Sequence, residues 1–342
     1  MLHLGRSRRA RLTLCFSCLL AASAPAVAYT PSHYAEEQIR YIATYFPGRM
    51  AGSPAELMAA DYLRHRFTQL GFQSDLRGFN TRYLFHGSEG KGDWRKITAT
   101  SVIAARAGST PGEILIVAHS DTFMPRSDKD LNNNLGGLTL QGVDDNASGV
   151  GVMLGLAQQL GQGRLAVGVR FVALSAGEPE TFGVDDYVQR MSAQEKRNTL
   201  LVINLDSLVA GDKLRVNYSP DSGDARVLGL VKTLGNQARQ SGIPLIISAG
   251  IKTAAACPTA ALPFAKAGFA VLDMGSGTAD GSCRQRKTSR NFPQGTVRYQ
   301  GQRDNLMFLD SHLTGQIGKR ARDSMKLLWP LLQGLTQAGK TR

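Results

Sequence analysis

The stretch Ile114-Leu115-Ile116-Val117-Ala118-His119-Ser120-Asp121 decides the fold class of this 342-residue chain. A short run of consecutive apolar residues that ends in polar ones is typical of a strand buried on both faces of a sheet. In open α/β sheets, ligands bind in the crevice at the carboxyl ends of the strands. His119 and Asp121 therefore lie where this fold class places its functional side chains.

Acidic residues follow two further apolar runs. Residues 166–174 precede Glu178, and residues 200–205 lead directly into Asp206. Asp145 closes a Gly- and Asn-rich loop just before an apolar helical stretch. One Asp at a strand end is more often a helix cap or turn former, but several acids at one sheet edge are costly unless a cation neutralises them. Together with an imidazole, these carboxylates predict a zinc site.

Helix signals are clearest after residue 52. Ser53 can cap a helix that starts with Pro54 and carries Glu56 three residues after the cap. We expect this helix to reach Leu70 and to stop at Gly71. Apolar periodicity predicts the other elements. The further predicted helices cover residues 32–45, 147–160, 224–240 and 311–335. The predicted strands cover residues 72–79, 97–104, 113–118, 166–174, 200–206, 244–248 and 269–273. Residues 86–96 are expected to form an exposed hairpin loop.

This alternation of strands and helices predicts an α/β fold, a three-layer αβα sandwich with a mostly parallel, mixed central sheet. No internal repeat or linker interrupts it, so we expect one domain over residues 29–342. About 314 residues are enough for one large domain with a full core.

The first 28 residues are typical of a secretory signal peptide. Four arginines precede the apolar residues 12–22, and Ala26-Val27-Ala28 forms a small-residue cleavage site. The apolar run is too short for a membrane anchor. We therefore expect an exported protein without a stable membrane anchor, periplasmic in a cell with two membranes.

The charge and cysteine content of the remaining chain limit the classes of partner and the redox chemistry that are expected. Removal of the four signal arginines lowers the formal net charge from +13 to +9. No basic run with interleaved aromatic residues is present, so nucleic acid is not an expected partner. Cys257 and Cys283 remain and form either one disulfide or two free thiols; neither belongs to a CxxC motif.

Three motifs carry a resemblance to a known family. They are His119-Ser120-Asp121, the segment 143–149 (Val-Asp-Asp-Asn-Ala-Ser-Gly) and Asn204-Leu205-Asp206. With residues 46–50, 135–142 and 198–204, they resemble the co-catalytic zinc aminopeptidases of the bacterial leucyl aminopeptidase type, and the likeness extends over most of the chain. The resemblance implies an exopeptidase that removes N-terminal residues, with Arg as an expected preference.

The resemblance also implies site roles. His119, Asp145 and Asp206 would hold one zinc ion, and Asp145 would bridge to a second zinc held by Glu178 and a late histidine. Asp121 would hydrogen-bond to His119 and fix its orientation. A Glu beside the metal-binding Glu would take a proton from the water and return it to the leaving amine.

The sequence departs from the family pattern at two positions. Gly177 stands where the family has its general-base Glu, and Tyr299 or Gln300 stands where it has the late histidine. The zinc content is therefore expected to be one or two ions, and Glu178 could itself serve as the base, with Glu180 as a nearby substitute. Among the other histidines, those at 33 and 65 are expected at the helix surface, and the one at 312 is a minor candidate for the metal.

Three functional hypotheses follow. The first is a zinc aminopeptidase that acts on the N-termini of exported proteins or peptides. The second is a catalytically impaired, peptide-binding relative that has lost the general-base Glu at Gly177 and a metal His at Tyr299. The third is a carboxypeptidase or amide-cyclising enzyme of the same fold. Five acidic residues are either walls of a pocket for a cationic side chain or solvated loop charges: Asp128, Asp130, Glu180, Asp185 and Asp186.

Overall fold

The computed structural model describes residues 30–87, 90–161, 163–177, 182–219, 225–251, 259–277 and 303–337. Several sequence predictions fall outside these residues. They are the signal peptide, the metal-ligand and base roles of Glu178, the substitute Glu180, the Cys257–Cys283 pair and Tyr299.

Two capped helices open the described chain, α1 (Pro31–Tyr45) and α2 (Pro54–Gln69). The Ser53 hydroxyl accepts a hydrogen bond from the Glu56 N–H at 3.1 Å, as the capping motif predicts. Gly71 takes a positive φ of 86°, which confirms the predicted left-handed stop.

The remaining described elements are strands interspersed with helices, as the predicted α/β class requires. They are β1 (Gln73–His86), β2 (Gly92–Arg106), β3 (Glu113–His119), α3 (Asp128–Asn133), α4 (Ser148–Leu160), β4 (Gly168–Leu174), α5 (Phe182–Arg190), α6 (Ala193–Asn198), β5 (Thr199–Leu205), β6 (Lys213–Tyr218), α7 (Ala225–Gln240), β7 (Leu245–Ala249), α8 (Ala261–Lys266), β8 (Val271–Gly277), α9 (Leu306–His312) and α10 (Gln316–Gln337).

The eight strands form one mixed sheet in the order β1-β2-β4-β3-β5-β8-β6-β7. The central strands β4, β3, β5 and β8 are parallel, and β6 is parallel to β7. The pairs β1–β2, β2–β4 and β6–β8 are antiparallel. This topology confirms the predicted α/β class with a mixed central sheet.

Side chains of β3 alternate between two helical layers. Ile114 and Ile116 belong to the core formed with α1, α2, α4, α7 and α10. Leu115 and Val117 belong to the opposite core, to which α5 and α8 contribute. Both sets are fully or almost fully buried, which is why the β3 sequence is a continuous apolar run rather than an alternating one.

The structure differs from the sequence prediction in four respects. Helices α3, α5, α6 and α8 were not predicted, because each has nine residues or fewer, too few to show a helical apolar period. The expected loop over residues 86–96 is mostly strand, because pairing continues to His86↔Gly92 and the polar residues there face solvent. Strand β6 was missed, since it is short and its ends are polar. The predicted last helix is two helices, separated near Gly315, whose φ is 72°.

No helix in the described ranges is long and apolar enough to cross a lipid bilayer.

Candidate metal centre

The topology brings the ends of two neighbouring strands to one place. His119 is the last residue of β3, and Asp206 follows the last residue of β5. The two strands are parallel neighbours, with Val117 opposite Asn204, so their carboxyl ends meet at the same sheet edge. Asp145 reaches this edge from the turn before α4, where its φ and ψ are −116° and 86° and its bond to Asn146 is cis.

The three side chains converge on a small buried volume. His119 Nε2 lies 3.0 Å from Asp145 Oδ1 and 3.6 Å from Asp206 Oδ1. One potential ligand atom from each residue lies within 4.8 Å of the other two, and all three residues are buried. Zinc–ligand bonds of about 2.0–2.2 Å in a tetrahedron place ligand atoms roughly 3.3 Å apart. One nitrogen and two oxygens at these separations fit a zinc ion with an open fourth position.

The surrounding charges control the protonation of His119. Burial alone would lower the pKa of the imidazole. Hydrogen bonds to Asp121, Asp145 and Asp206 outweigh burial and raise that pKa well above its ordinary value. A metal ion would bind to the neutral imidazole, so a metal and a proton compete for Nε2.

Asp121 lies on the far side of the imidazole from the other two carboxylates. His119 Nδ1 is 3.1 Å from the Asp121 backbone oxygen and 3.4 Å from its Oδ1. The Gly177 N–H donates to the same Oδ1 at 3.1 Å. This arrangement suits a residue that orients the histidine from behind.

Asn146 ties the segments of the site together, a role that sequence reasoning missed. Its amide nitrogen donates to the backbone oxygens of His119 and Leu205 at 3.2 and 2.9 Å. Its Oδ1 accepts from the Gly149 and Ser207 N–H groups at 3.0 and 3.1 Å. Because Asn146 is fully buried, every part of its amide is used to hold β3, β5 and α4 in register. The available signal was its place in the 143–149 motif.

Two further acids near the turn, Asp144 and Asp304, accept hydrogen bonds from backbone N–H groups. Asp144 Oδ1 accepts from the N–H groups of Val209 and Ala210 at 2.7 and 3.0 Å. Asp304 accepts from the N–H groups of Asp144 and Asp145 at 2.6 and 3.1 Å. Burial, and then the charge of Asp144, raise the pKa of Asp304 well above its ordinary value. No role was predicted for Asp304 from the sequence.

Arg49 is a buried cation beside these carboxylates, and the sequence prediction also missed it. Its guanidinium donates to the backbone oxygens of Ser120 and Gly142, both at 2.8 Å. Burial lowers its pKa to about 10, against the raising effect of Asp304, Asp121 and Asp145. The expectation that only a bound metal would neutralise the strand ends therefore needs correction, because the chain supplies part of the positive charge itself.

The remaining candidates in the described chain lie elsewhere. Asp128 and Asp130 lie on α3, and Asp186 pairs with Arg190 on α5 at 3.0 Å. His312 ends α9, where its ring is exposed and stacks on Phe308 with centroids 4.0 Å apart. The structure thus brings together His119, Asp121, Asp145 and Asp206 but not these residues.

Comparisons with known proteins agree with this geometry. Residues 101–325 match the family model "Peptidase family M28". The chain is 43% identical over 346 residues to the alkaline phosphatase isozyme conversion protein of Escherichia coli strain K12, which covers 97% of this chain and 98% of that protein.

Solved structures share the fold at low identity. A zinc aminopeptidase from Bacillus subtilis is 15% identical, with 91% of this chain and 96% of that chain covered and a TM-score of 0.68. An aminopeptidase from Aneurinibacillus sp. strain AM-1 is 14% identical, with 90% of this chain and 94% of that chain covered and a TM-score of 0.64. The Porphyromonas gingivalis glutaminyl cyclase is 20% identical, with 89% of this chain and 98% of that chain covered and a TM-score of 0.62. The family model and the 43% identical relative together show that this chain belongs to peptidase family M28.

Proposed function

We propose that this protein is an exported zinc aminopeptidase that removes N-terminal residues, Arg among them, from exported proteins or peptides. The observation that carries the proposal is the convergence of His119, Asp145 and Asp206 at one buried sheet edge, in a chain of a peptidase family. Export to the periplasm rests on the signal-like sequence of residues 1–28.

The donor set determines the proposed chemistry. Zinc bound there would polarise the scissile carbonyl and lower the pKa of its water. Asp121 would hold the imidazole of His119 in the orientation that leaves Nε2 free for binding. Asn146 and Arg49 would keep the strand ends and the Asp145 turn in place through their backbone hydrogen bonds.

One zinc ion is the stoichiometry that the described residues support. Among them, His119, Asp145 and Asp206 are the one group of three or more metal-binding side chains that meet. A second ion would need Glu178 and a nitrogen donor, and the sequence has Tyr299 where the family has a histidine. A tyrosine is a poor zinc ligand near neutral pH, because its ordinary pKa is about 10.

The identity of the general base is the part of the proposed mechanism that the family pattern does not supply, because Gly177 stands at its expected position. A Cβ on Gly177 would lie 2.5 Å from the Cβ of His119, so the position has no room for a Glu side chain as the backbone stands. We assign the role to Glu178, which would accept the proton of the water and return it to the leaving amine. A well-placed general base contributes about 10²–10⁴ in rate, so a reduced rate is expected if Glu178 fills the role imperfectly.

A second candidate function is favoured by the same observation. If no residue replaces the base, the protein would bind peptide N-termini at its zinc ion without cleaving them. This chain shares its fold with several glutaminyl cyclases, which is the basis of the amide-cyclising alternative. The family match and the 43% identical relative do not favour that alternative.

Metal analysis and turnover separate these functions. The mature protein would be dialysed against zinc, its metal content measured, and its activity tested on an arginyl anilide and on a peptide with N-terminal Gln. About one zinc with anilide cleavage supports the proposal, and zinc without cleavage supports the binding relative. Cyclisation of the Gln peptide, or failure to hold zinc, contradicts it.

Two variants make the test specific to the site. Asp206→Asn should abolish zinc retention and turnover, because it removes one of three ligands. Asp75→Asn on strand β1 removes the same charge from an exposed position and should change neither.

A further inference from the structure

A groove with a cavity of about 820 Å³ lies along the distal half of the β1–β2 hairpin. Its lining includes Asn80, Arg82, Trp94, Lys96 and Thr98, all of which are exposed. Phe182, at the start of α5, closes one side.

Two cationic side chains lie side by side on the exposed face of the hairpin in this groove. Arg82 and Lys96 are direct cross-strand partners. Like charges opposite each other on neighbouring strands destabilise a sheet. Within the described part of the chain, no carboxylate forms an ion pair with either, whereas the adjacent Arg95 pairs with Asp93 at 3.4 Å. A surface lined by charges of one sign raises the local concentration of ions of the opposite sign, so these two cations favour an anionic ligand.

An aromatic side chain adds an apolar contact beside the cations. The guanidinium of Arg82 lies 4.5 Å from the Trp94 ring centroid, and Trp94 is 52% exposed. The contact orients the guanidinium over the ring face while its N–H groups remain available to an anion. Asn80 and Thr98 extend the same face with a side-chain hydrogen bond of 2.9 Å.

One apolar cluster lies between the groove and the chain segment that leads to Gly177. Phe182 and Ile97, which line the groove, pack against the cluster that contains Phe79 and Ala176. Ala176 directly precedes Gly177, whose backbone donates to Asp121. The apolar cluster therefore lies between the groove and the segment that contacts Asp121. Strand β1 is at the sheet edge, where an extended chain can lie alongside it.

We propose that this groove binds the carboxylate side chains of an extended peptide, so that acidic residues a few positions after the N-terminus favour binding. The preference for substrates with acidic residues rests on the proposed aminopeptidase function. The binding of acidic peptides to the groove does not depend on that function. A peptide is the favoured ligand because the chain belongs to a peptidase family, and because the exposed groove residues alternate with the strand period that an extended peptide shares.

The experiment measures binding without turnover, so the probes carry an acetyl group on the N-terminus, which prevents cleavage by an aminopeptidase. An acetylated alanine octapeptide with Glu at its fourth and sixth positions is titrated into the mature protein, and the same peptide with Gln serves as the neutral probe. Trp94 fluorescence reports occupancy, and Trp94→Phe shows that the signal comes from the groove. Arg82→Gln/Lys96→Gln removes both cations; Lys196→Gln/Lys232→Gln removes two exposed cations from α6 and α7 and is the matched control.

The Glu peptide should bind more tightly than the Gln peptide, and the groove variant should weaken it roughly five-fold, with no effect of the control variant. The preference should shrink as salt is raised. Equal affinity for the two peptides, or equal effects of the two double variants, would overturn the proposal. A single-stranded oligonucleotide that displaces the Glu peptide and binds more tightly would also overturn it, in favour of a nucleic-acid surface.

The two proposals fail separately. If the protein binds the Glu peptide in the groove but cleaves no substrate, the aminopeptidase function fails and the groove stands. Cleavage is measured on the same two peptides with a free N-terminus. If cleavage is normal and the Glu peptide has the same KM as the Gln peptide, the groove proposal fails alone. A lower KM with unchanged kcat for the Glu peptide supports both.

Discussion

The backbone of Gly177 lies directly against the side chain of His119. A Cβ at position 177 would be 2.5 Å from the His119 Cβ and 3.4 Å from Asp121 Oδ1. The Gly177 N–H donates to that same oxygen at 3.1 Å. Glycine at position 177 therefore allows this close approach to the histidine.

Gly177→Ala should destabilise the protein and loosen the candidate metal centre. The added methyl group must push against His119, and overpacking of this kind costs about 1–3 kcal/mol. We expect a lower free energy of unfolding in urea and weaker zinc binding in a chelator competition.

Gly229→Ala is the control for this substitution. Gly229 is an exposed residue of α7, and no atom outside its helical neighbourhood lies within 4 Å of an added Cβ. Alanine there should stabilise by about 0.5–1 kcal/mol through helix propensity. The interpretation of position 177 is wrong if Gly177→Glu is as stable as the wild type and gains both zinc occupancy and rate.

Glu56 should make stability depend on pH. Burial raises its pKa from 4.5 to about 7, despite hydrogen bonds from Ser175, Gly52 and Thr100. The folded protein therefore holds a proton that the unfolded chain releases near pH 4.5. The stabilisation, about 3 kcal/mol, is complete below that pH and is lost as pH rises through 7.

The measurement for Glu56 compares unfolding free energies of the wild type and Glu56→Gln from pH 4.5 to 8. The neutral amide cannot ionise, so the variant should lack the wild type's decline between pH 5 and 7. Parallel curves for the two proteins would show that the Glu56 carboxyl keeps an ordinary pKa in the folded state.

Sequence reasoning located the strand ends because local patterns determine them. The apolar run before His119 and the run before Asp206 each predict a buried parallel strand, and parallel neighbours end at one edge. The same periodicity could not distinguish Asp145 from Asp144; the family resemblance did. In the structure, Asp145 contacts the histidine while Asp144 binds backbone N–H groups.

The supporting residues could not be predicted, because their partners are remote in sequence. Arg49 reaches a carbonyl 71 positions away, and Asp304 reaches an N–H 159 positions away. A lone Arg after a Pro-Gly turn and an Asp in an irregular segment carry no local signal of burial. The outer ends of β1 and β2 were also missed, because their polar, solvent-exposed side chains lack the apolar alternation on which a strand prediction depends.

Arg49→Met should be strongly destabilising. The substitution keeps most of the buried volume but leaves the carbonyls of Ser120 and Gly142 without their donor and removes positive charge beside Asp304. Loss of a buried charge partner costs about 3–5 kcal/mol. Thermal unfolding of the metal-free protein measures the effect without interference from zinc.

Arg197→Met is the matched control, because Arg197 is an exposed residue of α6. That change should stay within about 0.5 kcal/mol. Similar losses in the two variants would show that the buried guanidinium does not stabilise the turn before α4.

Asp121→Asn should weaken zinc binding while leaving the fold intact. The amide oxygen can still accept from Gly177, but the uncharged group no longer increases the basicity of the imidazole through Nδ1. Loss of such a supporting carboxylate typically lowers metal affinity about 10–100-fold. Zinc affinity would be measured against a fluorescent chelator, with metal-free unfolding curves to show that stability is retained and Asp75→Asn as the control.

The backbone oxygen of Asp121, rather than its carboxylate, could be the group that fixes the imidazole of His119, and Asp121→Asn distinguishes the two. It lies 3.1 Å from His119 Nδ1, closer than the carboxylate at 3.4 Å, and the substitution does not remove it. If this carbonyl alone fixes the imidazole, zinc affinity will not change. A 10–100-fold loss would show instead that the negative charge acts on the metal through the histidine, because ring orientation is the same in both proteins.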